Sequence, residues 1–184
     1  MCAGEAVSLE VSSFQLEAIR TFRPRVAAIL NLTPDHLDRY KDVGDYLEAK
    51  VRITMNQGPG DVLVLNYGDP ALRALASRTK AKVIFFNKEP WEKAFNENQM
   101  AVIAITGALG VPRSVSEAVF KDFKGVEHRL EFVRTLGDVA YVNDSKATNI
   151  DSTIWALKNT KPPVVLIAGG REKGSDFASI LDLV

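Results

Sequence analysis

Short apolar runs rich in valine and isoleucine alternate along this chain with longer stretches of helical period, and that alternation leaves few architectures open. The runs fall at residues 6–11, 26–32, 61–66, 82–86 and 164–168. Each has the length of a buried strand, and helical segments between successive strands suit a parallel sheet covered by helices. Between the runs, residues 42–56 read as an amphipathic helix ending near Gly58-Pro59-Gly60, and 70–78 as a shorter one. Residues 91–109 form a third helical stretch, closed by Gly110 and Pro112, and 115–123 a fourth. The predicted class is α/β.

The pattern changes after Lys124-Gly125-Val126. Gly137-Asp138 separates two strand-like runs, 131–136 and 139–143, as a hairpin would, and a new strand, helix, strand series begins there. We therefore expect two α/β units, residues 1–125 and 126–184. The second stops within a helix-like pattern and reads as cut short.

Bulk properties exclude some partners. The 184 residues carry 23 basic and 23 acidic side chains, without a basic stripe or an RNA-type aromatic motif, which argues against nucleic acid as the main partner. No apolar run has the length of a membrane span, and the start lacks the layout of an export signal. Cys2 is the only cysteine, so no intramolecular disulfide forms, which fits a cytoplasmic protein.

Residues 141–149, Tyr-Val-Asn-Asp-Ser-Lys-Ala-Thr-Asn, place Asp144, Lys146 and Thr148 in a strand-to-helix turn ahead of a helix over 150–158. Unpaired N–H groups at a helix start attract anions and the lysine adds a full charge, so phosphate chemistry suits this turn. Glu10 is expected at the end of the first strand, before Ser12-Ser13-Phe14-Gln15, where an open parallel sheet offers its ligand crevice. Ser12 or Ser13 could equally cap a short helix, with Glu10 paired to a nearby base. Thr33-Pro34-Asp35-His36 follows the second strand in the same way, and Glu10 with His36 could hold Mg²⁺ together with water and phosphate oxygens. Lys50 lies one turn after Tyr46 in the helix over 42–56, a position that by itself reads as a solvated face. Arg129, in Glu127-His128-Arg129, offers a planar charged fork to a phosphate or serves as a solvated linker charge. Ile167–Gly174 reads as a strand entering a glycine-rich turn around Lys173. No G-x-x-x-x-G-K-[ST] phosphate loop occurs in the chain.

In this order the segments resemble the Mur ligase family, and within it the branch that adds D-glutamate. The resemblance rests on Leu9–Glu17, Asn31–Tyr40, Ala49-Lys50 with Arg52-Ile53, Gly125–Glu131, Asn143–Asn149 and Gly169–Gly174. The D-N-P-R signature of the ligases that add diaminopimelate or lysine is missing. The resemblance implies part of a central ATP-binding domain followed by the start of a Rossmann-like C-terminal domain. It implies that Glu10, His36 and a carbamylated Lys50 bind Mg²⁺ and that Asn98 contacts adenine. Arg129 and Asp144 would hold ATP, and Lys146 would face the transferring phosphate. Thr148 and Lys173 would hold D-glutamate, with Ser12 and Gln15 on the side of the other substrate, UDP-N-acetylmuramoyl-L-alanine.

Two departures accompany the resemblance. The phosphate loop that the family places upstream of Glu10 is absent, which raises a separately encoded N-terminal part as a partner. Between Phe86 and Asn98 the chain is shorter than the family norm, and Phe95-Asn96-Glu97-Asn98 is a contracted form of its H-N-x-x-N element. The expectation is a fragment inactive by itself. Folylpolyglutamate synthase, which shares the fold, fits residues 12–17 and 143–149 less well. A non-catalytic nucleotide-binding or scaffold protein is the reading from a different class.

Overall fold

The computed structural model describes residues 5–33, 39–89, 94–170 and 176–184. The chain divides into two compact units, Met1–Leu32 with Tyr40–Lys121, and Thr33–Arg39 with Asp122–Val184.

In the first unit, β1 (Val26–Ile29), β2 (Val62–Asn66) and β3 (Lys82–Phe86) form a parallel sheet in that order. Side chains alternate across a strand, so each apolar run feeds two cores. On one face Ala27, Ile29, Leu63 and Leu65 meet Leu72 and Leu75, with Leu47 and Val51 packed against them. On the other, Val64 and Phe86 meet Met100 and Ala101. The central strand is therefore buried on both sides, and Leu63, Val64 and Leu65 are all 0% exposed.

Side-chain caps set where the covering helices start. Ser12 caps the short α1 (Ser13–Glu17), and Asp42 caps α2 (Val43–Val51) by accepting from the Asp45 N–H. Asp69 does the same for α3 (Pro70–Leu75), where Pro70 occupies the first turn, whose N–H groups have no intrahelical partner. Asn96 and Gln99 cap α4 (Glu97–Ala108) reciprocally, which is why that helix starts at Glu97 and not near residue 91. The expected helix over 42–56 ends as α at Val51 and tightens into a 3-10 turn, Arg52–Thr54. Arg52 locks that turn by donating to the Leu16 and Ile19 carbonyls, and Asn56 donates to those of Arg20 and Phe22. α5 (Arg113–Asp122) closes the unit, with Ser116 and Thr106 hydroxyls 3.0 Å apart.

Asp61 fixes the entry to β2. Its Oδ2 accepts from the Gly58 N–H at 2.8 Å and from Arg23 Nε at 2.8 Å. The Gly58 N–H first and Arg23 second hold its carboxyl below the usual carboxylate range. A lowered pKa means that the folded state binds this proton more weakly than the unfolded chain. The stabilisation is therefore complete above the ordinary carboxylate range and is lost as pH falls through the lowered value. Asp61→Asn is expected to destabilise the first unit near neutral pH and to bring no further loss in acid. Urea unfolding at both pH values checks this.

The second unit holds the antiparallel hairpin β4 (Glu131–Leu136) and β5 (Val139–Asn143), at the residues predicted, with an irregularity between Phe132 and Arg134. Then comes α6 (Ile150–Asn159), capped by Asn149, whose Oδ1 accepts from the Ser152 N–H. Ala156 on α6 and Ile180 in a 3-10 run, Phe177–Leu183, are this unit's buried apolar residues among those described.

Two predicted strands do not form. Residues 6–11 and 164–168 are irregular, with Val7 and Leu9 65% and 63% exposed and Val165 and Ile167 92% and 93% exposed. Strand preference is largely a preference for packing against neighbouring strands, and these segments have none among the described residues. Glu10 consequently sits on an irregular segment and not at a strand end.

Candidate functional site

Within the first unit, Glu10 is exposed beside a depression of about 200 Å³ lined by Leu9, Glu10, Val11, Gln15, Ile19 and Phe22. It makes no ion pair among the described residues. Ser12 and Gln15 are engaged with each other: Ser12 Oγ accepts from the Gln15 N–H at 3.3 Å, and Gln15 Oε1 accepts from the Ser12 N–H at 2.8 Å. Lys50 is half-buried, its ammonium 4.8 Å from the centre of the Tyr46 ring, a cation resting on a π face. Tyr46 in turn lies 5.3 Å from Tyr40, and Tyr40 stacks on Phe14. Asn98 is exposed in the first turn of α4, whereas Asn96 is spent on the helix cap. His36 lies outside the described residues, and so does Lys173.

At the carboxyl ends of the three strands the structure shows a polar network that the sequence did not announce. Asn66, only 5% exposed, donates to the Leu30 carbonyl and accepts from the Gly68 N–H at 2.8 Å. Asn87, at φ +60°, donates to Asn66 Oδ1 and to Glu97 Oε1. Asp69 accepts from the Leu32 N–H at 3.0 Å while it caps α3. Asparagine tolerates the left-handed region better than other side chains, which explains Asn87 at this turn. The network ties the ends of β1, β2 and β3 together along the edge where such sheets take ligands. An asparagine ending a strand just before Gly68-Asp69-Pro70 was the available signal.

Within the second unit, Arg129, Asp144, Lys146 and Thr148 lie on two cross-braced loops. Asp144 Oδ1 accepts from the Leu130 N–H at 3.0 Å, and the Lys146 N–H donates to the His128 carbonyl at 3.0 Å. The Ala147 N–H donates to the Asp144 carbonyl, and the Thr148 N–H to that of Lys146, folding the turn tightly before α6. The side chains of Arg129, Lys146 and Thr148 are exposed, and neither cation has an acidic partner among the described residues. Two unpartnered cations beside a capped helix start can take a polyanion. Asp144, with one oxygen uncommitted among the described residues, adds an acceptor for a hydroxyl.

Whether Mg²⁺ suits the first unit depends on its donor set. Among the described residues no three His, Cys, Asp or Glu side chains converge on one point. Mg²⁺ needs only one or two carboxylates when phosphate and water complete its shell, and Glu10, without an ion pair among the described residues, fits that requirement. Lys50 as an ammonium does not; carbamylation would convert it to an oxygen donor and remove the charge now resting on Tyr46.

Residues 2–107 match the family described as Mur ligase middle domain. The chain is 42% identical over 205 residues to UDP-N-acetylmuramoylalanine--D-glutamate ligase of Pelotomaculum thermopropionicum, covering 94% of this chain and 45% of that protein. It is 44% identical over 204 residues to the enzyme of the same name from Clostridioides difficile, with the same coverage. The chain thus spans about half the length of the curated relatives it matches. The alignment of 205 residues exceeds the 184 of the whole chain, so the relative has residues that this chain lacks. In fold the chain is similar to MurF from Acinetobacter baumannii, with a TM-score of 0.61 and 19% identity over 74% of this chain and 37% of that one. Among the described residues no helix is long and apolar enough to cross a membrane. From the matched middle domain and relatives at this identity over nearly the whole chain, the conclusion is that this chain belongs to the Mur ligase family.

Proposed function

We propose that the chain supplies the ATP-handling and amino-acid-handling residues of a cytoplasmic ligase that joins D-glutamate to UDP-N-acetylmuramoyl-L-alanine for peptidoglycan. The observation that carries this reading is the braced pair of loops presenting Arg129 and Lys146 without acidic partners among the described residues. The names and identity of the relatives support the choice of substrates.

A free carboxylate is a poor acyl donor because its leaving oxygen would be oxide. ATP phosphorylates the terminal carboxylate of the muramoyl substrate, and the amine of D-glutamate then attacks the acyl phosphate to give the amide, ADP and phosphate. Phosphoryl transfer is accelerated chiefly by positioning and charge neutralisation. Lys146 is assigned to the transferring phosphoryl group. Arg129 holds the nucleotide phosphates and Asp144 its ribose, while Asn98 contacts adenine. Thr148 and Lys173 bind the D-glutamate carboxylates, and Ser12 and Gln15 border the muramoyl substrate. Mg²⁺ would be held by Glu10, with His36 and a carbamylated Lys50 completing the set, and would supply charge neutralisation at the phosphoryl oxygens.

Calorimetric titration of the chain with ATP and Mg²⁺ tests the nucleotide part. Micromolar binding is expected; no binding up to millimolar ATP would overturn it. The residues that this chain lacks within its alignment to the relatives favour one other reading, a nucleotide-binding protein without ligase activity, for which binding would persist without D-glutamate-dependent turnover in any context.

A further inference from the structure

Asn87 and Glu97 take no part in the roles above, yet the polar network at the strand ends runs through them to the residue beside Asn98. Its hydrogen-bond directions are fully determined. Asn66 donates to the Leu30 carbonyl and accepts from the Gly68 N–H, which settles which end of its amide is the oxygen. Asn66 Oδ1 is therefore an acceptor, as is each oxygen of the Glu97 carboxylate, so the group between them must be the Asn87 NH₂. It donates one hydrogen to Asn66 Oδ1 at 3.3 Å and the other to Glu97 Oε1 at 3.1 Å.

The backbone is shaped around this link. Asn87 keeps φ +60°, and a Cβ at Gly68 would lie 3.0 Å from Asn87 Nδ2 and 3.1 Å from Asn66 Oδ1, so a side chain there would crowd both amides. Glu97 is exposed in the first turn of α4, next to Asn98, and its Oε2 makes no bond among the described residues. The network thus presents a carboxylate that is fixed through one oxygen and open at the other.

We propose that Glu97 is a specificity-determining residue of the adenine site: held by Asn87, it accepts through Oε2 from the 6-amino group of the base. This rests on the reading of Asn98 as an adenine contact. Neighbouring helix residues point about 100° apart, and the 6-amino group has two hydrogens to give, one to Asn98 Oδ1 and one to Glu97. A carboxylate only accepts, so a base without the amino group gives Oε2 no partner. Water competes for an exposed carboxylate, which puts the added preference at about tenfold, the low end for such a contact.

The test compares ATP with purine riboside triphosphate, which lacks only the 6-amino group, by calorimetry with Mg²⁺ on the full 184-residue chain. Both ligands carry the same triphosphate, so any repulsion between Glu97 and the phosphates cancels in the ratio of their affinities. In Glu97→Gln the amide oxygen must face the Asn87 NH₂, which puts an NH₂ donor where Oε2 stood. The link to Asn87 is kept, so urea unfolding should be unchanged, while donor now meets donor and the preference for ATP should fall about tenfold. Asn87→Gly keeps the left-handed backbone but releases the carboxylate, and should lower the preference at least about threefold. The proposal is overturned if either variant keeps the wild-type preference. A wild-type chain that binds both ligands equally overturns the adenine contact and the proposal with it, and leaves the phosphate contacts standing. Binding of neither ligand overturns the nucleotide reading as a whole, this proposal included.

Discussion

Replacing Lys146 and Arg129 together by alanine is expected to weaken ATP binding at least about 100-fold, or about 2.7 kcal/mol. A hydrogen bond to a charged group contributes about 1.5–3 kcal/mol, and the double variant removes two such donors. Neither side chain holds an acidic partner among the described residues, so its loss exposes no stranded carboxylate and leaves the fold intact. The brace itself uses the backbone N–H of Lys146 and the Asp144 carboxylate, which the substitutions leave in place. Calorimetry gives the affinity, and unchanged urea unfolding shows that the loss is local. A double variant within threefold of the wild type would remove these two residues from the site.

The second large effect is on stability. Leu65→Ala should cost about 3–5 kcal/mol, because the side chain is 0% exposed on the central strand and the cavity between β2 and α3 cannot collapse onto flexible chain. Domains are stable by only about 5–15 kcal/mol, so the loss is a large part of the total. Val133→Ala, at 56% exposure on the hairpin, removes a similar apolar group and should cost under about 0.5 kcal/mol. Urea midpoints of the two variants provide the comparison. A shift for Leu65→Ala worth less than about 1 kcal/mol would mean that the two-faced core of the first unit is wrongly described.

The elements that could be read in the sequence are those whose causes are local. The runs at 26–32, 61–66 and 82–86 became β1, β2 and β3 because each feeds both faces of one sheet, and Gly137-Asp138 marked the hairpin of β4 and β5. Residues 6–11 and 164–168 carry the same pattern but form no strand, since a strand also requires a neighbour, and the pattern does not report one. The site divides along the same line. Asp144, Lys146 and Thr148 were visible as a polar turn before a helix, and Asn149 does cap that helix. Roles for Lys50 and Asn98 came only through family resemblance, because a helix lysine or a surface asparagine has no local signature. The bonds from Asn66 to Leu30 and from Asn143 to His128 join residues far apart in sequence, and no spacing rule foretells them.

The most direct measurement exchanges the matching segment of the Clostridioides difficile relative for this chain and follows ADP release and amide formation with UDP-N-acetylmuramoyl-L-alanine and D-glutamate. The account predicts turnover that requires D-glutamate and ATP and disappears with Lys146→Ala. A folded hybrid that binds ATP but forms no amide would contradict it, and would leave this chain with the fold of a ligase but not its chemistry.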